Sequence, residues 1–359
     1  MSDERLYWWA LSLVPGIGAK RFYTLMEEFG SGENIWKCTD TDLRKILPLR
    51  TRNEFTKFRI NFDPEPRLRA LQKKGISFFT LLDPEYPESL RNIVDPPPVL
   101  YVLGKLQQRD QRAVAVVGSR RLTPYGRTTA ERFGRELAEL GFTVISGMAR
   151  GIDSCAHRGC LTARGRTIAV LGCGLDYVYP PENRNLMKRI AQNGAVVSEF
   201  PLGTPPKAGH FPIRNRIISG LALGVLVVEA AATSGSLITV DWALEQGREV
   251  FAVPGNINSR YSLGTNFLIK QGAHLVQEAR EIAEVLQIPI EGDTAQSKAF
   301  KLSNDEKAVL AVFQERHLHI DEIIRASQMT SQQVIAILLM LELKGCVQQL
   351  PGKMFVKTR

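Results

Sequence analysis

Between Glu199 and Glu229 the chain has no acidic residue, and its only full charges there are Lys207, Arg214 and Arg216. All three fall just before or just inside a helix expected to begin near Pro212, in GHFPIRNRIISGL. A helix N-terminus already carries partial positive charge and unpaired N–H groups, so cations placed there do nothing for the helix. They make sense if an anion, most simply a phosphate, is held there. Phe211 lies within the same patch, between His210 and Pro212, and could stack on a base. Aromatic rings interleaved with cations suit single-stranded nucleic acid.

Three further clusters have the same character. One is Gly118-Ser119-Arg120-Arg121 with Thr123 and Tyr125-Gly126; another is SGMARGID, Ser146 to Asp153, which contains Arg150. The last is Thr233-Ser234-Gly235-Ser236, joined by Pro254-Gly255-Asn256. Small residues let phosphates approach the backbone, and arginine forks bind phosphate bidentately.

Other chemistries find less support. The first strand-to-helix turn reads GSRRLTPYG rather than GxGxxG, the second strand ends in Ser-Gly where an acid would hold a ribose, and no GxxxxGK[ST] occurs. No cofactor is therefore expected. A phosphoribohydrolase acting on nucleotides is the alternative reading, but its PGGxGTxxE motif would put Thr239 where the glutamate acid/base belongs. Glu229 is the available substitute. Asp153 and His157 share a helical face, which suits a structural hydrogen bond or cap better than catalysis. The five cysteines include no CxxC and the five histidines no HExxH, so reduced thiols are expected and no metal site is.

These clusters need a frame that brings them together. From 113 to about 287, apolar runs alternate with helical stretches. The runs are 113–118, 142–146, 167–172, 195–199, 224–229, 249–254 and 273–276; the helices are 124–140, 150–163, 182–193, 212–222, 236–246 and 278–286. This pattern predicts a Rossmann-like α/β domain, a mostly parallel doubly wound sheet covered on both faces. In such sheets ligands bind at the carboxyl ends of the strands, where all four clusters fall. Short apolar runs at 76–82 and 99–103 read as strands, and Pro96–Pro98 as a stiff connector before the second of them.

The expected domains are 1–62, 63–288, a polar linker 289–302, and 303–359. The first is helical, with VPGIG (Val14–Gly18) at a tight turn resembling a helix-hairpin-helix. Gly16, Gly18 and Lys20 are secondary candidates for DNA contact, against a reading as a packed αα-hairpin. The last resembles a winged helix: helices over 303–314, 319–327 and 330–344, then a hairpin turning at Pro351-Gly352. Its third helix is apolar and poor in bases, which favours protein contact or dimerisation over DNA reading.

With 359 residues, 44% hydrophobic and 23% charged, the composition is that of an ordinary globular protein of two or three domains. The net charge of +9 is spread along the chain, which suits a polyanionic partner. No run of 18 apolar residues occurs and MSDERLYWW lacks a signal peptide's bases, so a cytoplasmic protein with no membrane span is expected.

VGSRRLTPYG, SGMARGID, GHFPIRNRIISGL, VVEAAATSGSLIT and VFAVPGN closely resemble the DNA-processing protein A family (DprA, also called Smf). The resemblance spans about residues 75–287, with a sterile-alpha-motif-like domain before it and a winged helix after it; HRGCL at Cys160 is a mild departure from HxGAL. It implies a protein that is not an enzyme, that binds and protects single-stranded DNA in natural transformation, and that loads RecA recombinase onto it. The implied partners are single-stranded DNA, RecA, a second copy of the chain, and single-strand-binding protein. The resemblance implies Arg120, Lys207, Phe211, Arg214, Asn215, Arg216, Ser234 and Ser236 as DNA-binding residues, and the clusters at the strand ends add Ser119, Arg150, Gly235 and Asn256 as candidates.

Overall fold

A computed structural model of the chain describes residues 3–289, 303–313, 318–343, 346–350 and 352–357. The chain divides into two compact units, Met1–Ile290 and Glu291–Arg359. Apart from Pro289, the segment expected to be a linker lies outside the described residues.

The first unit is built on nine strands: β1 (Ile76–Thr80), β2 (Val99–Gly104), β3 (Ala113–Val117), β4 (Thr143–Ser146), β5 (Thr167–Val170), β6 (Ala195–Ser198), β7 (Gly224–Val227), β8 (Glu249–Ala252) and β9 (His274–Leu275). They form one sheet in the order β1-β2-β6-β5-β4-β3-β7-β8-β9. From β6 to β9 the ladder is parallel, while β2 joins β6 antiparallel and carries β1 at the edge. The runs at 76–82 and 99–103 are thus part of the same sheet. Along β3 the two faces separate cleanly: Ala113, Ala115 and Val117 enter one core, Val114 and Val116 the other. Alternate residues point to opposite faces, so a strand covered by helices on both sides must be apolar throughout.

The chain lays down β3, β4, β5 and β6 in one direction, then crosses back to start β7 on the other side of β3. The reversal lies between β3 and β7. Loops leaving the carboxyl ends of these two strands turn to opposite faces, and a crevice opens between them.

The N-terminal helices Asp3–Ser12, Ala19–Phe29 and Leu49–Ile60 close around their own core, which includes Trp8, Leu11, Phe22, Leu25 and Phe55. Trp9 joins them to the sheet, stacking on Phe78 with ring centroids 5.1 Å apart and donating its indole N–H to the Tyr101 hydroxyl at 3.0 Å. Pro96 and Pro97 are buried, and their carbonyls accept hydroxyl protons from Tyr23 and Tyr86, both at 2.9 Å. The proline run is therefore a bracket between the helices and the sheet as well as a connector.

The second unit has helices Asn304–Ala311, Ile320–Ser327 and Ser331–Leu343 and a small sheet of β10 (Leu318–His319), β11 (Val347–Leu350) and β12 (Met354–Lys357) in the order β10-β12-β11. Ser303 and Glu306 form the expected capping box, each side chain accepting the other's backbone N–H at 3.1 and 2.7 Å. Helix Ser331–Leu343 buries Val334, Leu338 and Leu341, exposes Ile335, Leu339 and Met340, and carries no base. Gly352 holds a positive φ at the hairpin turn; Pro351 lies outside the described residues.

Candidate nucleic-acid interface

A cleft of about 880 Å³ opens at the topological reversal. Its walls come from the turn after β3 (Ser119, Arg120), the start of helix His210–Gly220 (Phe211, Arg214), and the turn after β7 (Ser234, Ser236).

The turn after β3 is fixed by Glu229 at the exit of β7 and by its own Ser119 and Thr123 hydroxyls. The Ser119 N–H donates to the Glu229 carbonyl at 2.8 Å, tying β3's exit to β7's, and the Ser119 hydroxyl accepts the Arg121 N–H at 3.2 Å. Thr123 then caps helix Pro124–Glu139 by accepting the Gly126 N–H at 3.0 Å. The Glu229 carboxylate accepts both the hydroxyl and the N–H of Thr123, at 2.5 and 3.1 Å. A Cβ at position 126 would overlap that carboxylate, which explains the glycine. Glu229 is buried against the cap and is not among the residues lining the cleft.

Arg214 forms the floor, with only 3% of its surface exposed. Its Nη1 donates to the carbonyls of Gly147, at 2.8 Å, and Val170, and its Nε to Asn215 Oδ1 at 3.2 Å. Gly147 makes this possible, since a Cβ there would sit 2.5 Å from both terminal nitrogens of the guanidinium. The SGMARGID loop is shaped to match. Asp153 accepts the N–H groups of Gly147 and Ala149, both at 3.2 Å, on either side of Met148. Met148 is held at φ +54°, a conformation few side chains adopt unaided. Burial pulls Arg214 down to about 10, with Arg120 adding to the pull and Asp153 opposing it. Arg214 is thus charged at neutral pH. Burial also pushes the Asp153 carboxyl up, against the pull of Arg214.

Phe211 is half-buried above this floor. The Arg120 guanidinium lies 5.2 Å from its ring centroid, that of Arg214 5.9 Å, and the Tyr179 ring 5.4 Å. Two cations thus flank one ring at the mouth of an open cleft, partly balanced by a carboxylate whose own charge is penalised by burial. An anion entering beside Arg120 would relieve both guanidiniums.

The structure gathers Ser119, Arg120, Phe211, Arg214, Asn215, Ser234, Gly235 and Ser236 around the cleft. Lys207 is exposed at the rim, between the lining residues Pro206 and Ala208. Arg216 corrects the expectation of a phosphate ligand: it is 1% exposed, forks onto Glu199 with two contacts of 2.8 Å, and meets Asp95 at 3.1 Å. The acid-free window was real, but the acids that answer Arg216 come from its boundary and from a distant segment. Arg150 likewise is exposed and forked onto Glu182, and Asn256 is exposed, its Oδ1 accepting the Asn258 N–H at 2.8 Å. Neither lines the cleft. The helix expected from Pro212 begins at His210. Gly16, Gly18 and Lys20 are exposed at the turn into helix Ala19–Phe29, while Val14 and Ile17 of the same turn enter the N-terminal helical core. Gly16, at φ +91°, packs against Thr51, and its carbonyl accepts from Arg21 at 2.7 Å.

His157 is fully buried. Its Nδ1 lies 2.7 Å from the Thr167 hydroxyl, which itself donates to the Val144 carbonyl at 2.7 Å. Thr167 must therefore accept from Nδ1–H, and burial holds the imidazole down at about 3, so it stays neutral. Among the cleft residues that the sequence does not mark are Tyr179, Arg260 and Tyr261. Tyr179 lies in a proline-rich turn and the other two follow a run of polar residues, so no motif marks them.

The DNA recombination-mediator protein A family matches residues 77–287, and the DprA winged helix domain matches residues 293–353. Protein Smf of Synechocystis sp. is 36% identical, with 98% of each chain covered. The crystal structure of DNA processing protein A from Streptococcus pneumoniae superimposes with a TM-score of 0.67 at 36% identity, covering 79% of this chain and 98% of that one. DNA processing protein A from Helicobacter pylori, whose structure is described by its single-stranded DNA binding mode, superimposes with a TM-score of 0.53 at 32% identity, covering 59% and 95%.

Proposed function

Because the chain belongs to the DNA recombination-mediator protein A (DprA/Smf) family, we propose that it binds single-stranded DNA, without sequence preference, in the cleft at the reversal of its sheet. The observation that carries this is Phe211 between the guanidiniums of Arg120 and Arg214 at an open cleft. A base stacks on Phe211, a backbone phosphate meets Arg120 over the floor made by Arg214, and Lys207 attracts the strand from the rim. Stacking tolerates any base because every base has a π-face. The relative from Helicobacter pylori, which binds single-stranded DNA, supports the same ligand here.

The family further supports protection of incoming DNA during natural transformation and its delivery to RecA recombinase, past single-strand-binding protein, in the cytoplasm. Pairing with a second copy has support of its own. Leu263 and Phe267, one turn apart on helix Leu263–Lys270, are exposed, as is Leu275 on the edge strand β9 that follows this helix. Apolar residues gathered at a sheet edge suit a self-complementary contact. A glycosidic hydrolase would need a carboxylate free in the cleft, whereas Glu229 is bound to Thr123 and Asp153 to two backbone N–H groups.

The test is fluorescence anisotropy with a labelled oligothymidine, its duplex and a mononucleotide. The single strand is expected to bind tightest, and Phe211→Ala to remove about 1–3 kcal/mol of that affinity. Unchanged binding by Phe211→Ala, or a preference for duplex, would overturn the reading.

A further inference from the structure

Across the cleft from Phe211 stands a second aromatic–arginine pair. Tyr261 lies between β8 and helix Leu263–Lys270, and its carbonyl accepts the N–H of Ala230 at 2.8 Å. The Gly264 N–H donates to the carbonyl of the same Ala230, also at 2.8 Å. Ala230 is buried just beyond β7, so the segment is stapled to the end of a central strand. On this support the Arg260 guanidinium sits 4.8 Å from the Tyr261 ring centroid and donates to its hydroxyl at 2.7 Å. Arg260 is exposed, Tyr261 half-buried, and both line the cleft. No carboxylate pairs with Arg260 among the described residues.

The position of this pair matters. Phe211 packs at the end of β5, where a Cβ on Gly172 would lie 3.1 Å from its ring. Tyr261 is anchored at the end of β7. In the sheet β4 and β3 lie between those strands. Three spacings of roughly 4.8 Å put the ends of those two strands about 14 Å apart. That is several times the roughly 3.4 Å rise of stacked bases. The two sites therefore cannot hold neighbours in one stack, and a strand reaching both must pass Ser119 and Arg120 at the end of β3. The cleft volume, about 880 Å³, lies toward the upper end of the roughly 300–1,000 Å³ usual for a small ligand.

We propose that Arg260 and Tyr261 form a second base platform, so that the cleft grips a single strand at two separated bases with the intervening backbone held at Ser119 and Arg120. The proposal rests on the single-stranded DNA reading of the cleft. Bases stack on arginine planes as well as on aromatic rings, and Tyr261 holds the guanidinium in place from behind. Lysine would keep the charge but not the plane.

The test measures binding of a thymidine dinucleotide, a thymidine octanucleotide and an abasic octanucleotide by wild type, Arg260→Lys, Tyr261→Ala and Phe211→Ala. Arg260→Lys is expected to weaken the thymidine octanucleotide about ten-fold, the loss of one stacked base, while leaving the salt slope and the abasic octanucleotide unchanged. The dinucleotide, which occupies one platform, is expected to respond to Phe211→Ala and not to Arg260→Lys. Tyr261→Ala should reproduce the octanucleotide loss. Wild-type affinity in Arg260→Lys, or an equal loss on the abasic strand, overturns the platform and leaves the single-stranded DNA reading standing. Failure of wild type to bind any of the strands overturns both.

Discussion

Arg214 and Arg216 show how two like residues take unlike roles. Two positions apart on a helix, their side chains leave roughly 200° apart, so one reaches the cleft and the other the Glu199 and Asp95 carboxylates. Nothing in the local composition separates them, because the partner acids lie outside the window that made the patch look basic. The stability consequences differ accordingly. Arg216→Ala strands the half-buried Glu199 and is expected to cost about 3 kcal/mol, whereas Arg120→Glu, at an exposed position, should stay within about 0.5 kcal/mol; urea melts of both variants check this. His157 gives a pH prediction. Its folded-state proton affinity is depressed to about 3, so the unfolded chain binds a proton first as pH falls below its ordinary value of 6.5. Stability is therefore lost downward through that window, by up to about 1.4 kcal/mol per pH unit. Asp153, raised by burial, acts in the opposite sense. The difference between wild type and His157→Gln isolates the histidine: wild type should lose about 2 kcal/mol more than the variant between about pH 7 and about pH 5, and parallel losses would contradict the assignment.

At the scale of elements, turns do the positioning. The cap of helix Pro124–Glu139 is shared between Thr123 on one strand's exit and Glu229 on another's, so the β3 and β7 ends move as one piece. Gly126→Ala would push a methyl group into the Glu229 carboxylate and is expected to cost about 1–3 kcal/mol, seen as a lower urea midpoint at unchanged slope. A neutral effect would mean that the shared cap is slack. The strands were legible because a strand covered on both faces must be apolar throughout; their order was not, since an apolar run does not name its neighbours. The turn chemistry was legible only as small residues and arginines. That Gly147 exists to admit Arg214 depends on a contact between segments more than 60 residues apart, and that Asp153 holds the loop around Met148 depends on the shape of a turn; periodicity carries neither.

At the scale of the molecule, alternating strands and helices were enough to put the clusters at the carboxyl ends of the strands, but the reversal between β3 and β7 appears only in the strand order. The antiparallel attachment of β1 and β2 was not legible, since two short apolar runs do not state their partners. The first unit has cores of its own on both sheet faces and among its N-terminal helices. A chain ending after Ile290 is therefore expected to fold and to keep its oligonucleotide affinity within about two-fold, well under the roughly 1.4 kcal/mol that a ten-fold change represents. Loss of binding on that truncation would move part of the site into the second unit. The proposed pairing predicts that wild type sediments as a dimer and Phe267→Glu as a folded monomer; a wild-type monomer, or an unchanged dimer in the variant, would contradict it.

The most direct test of the central claim is the salt dependence of oligothymidine binding for wild type, for Arg120→Glu/Lys207→Glu, and for Arg150→Glu, whose charge lies off the cleft. The cleft variant is predicted to lose at least ten-fold in affinity, with the log–log salt slope shallower by roughly 0.7 for each phosphate contact removed, while Arg150→Glu follows wild type. If instead the cleft variant binds as wild type does, the cleft is not the DNA site, and the turn at Gly16 to Lys20 becomes the surface to probe.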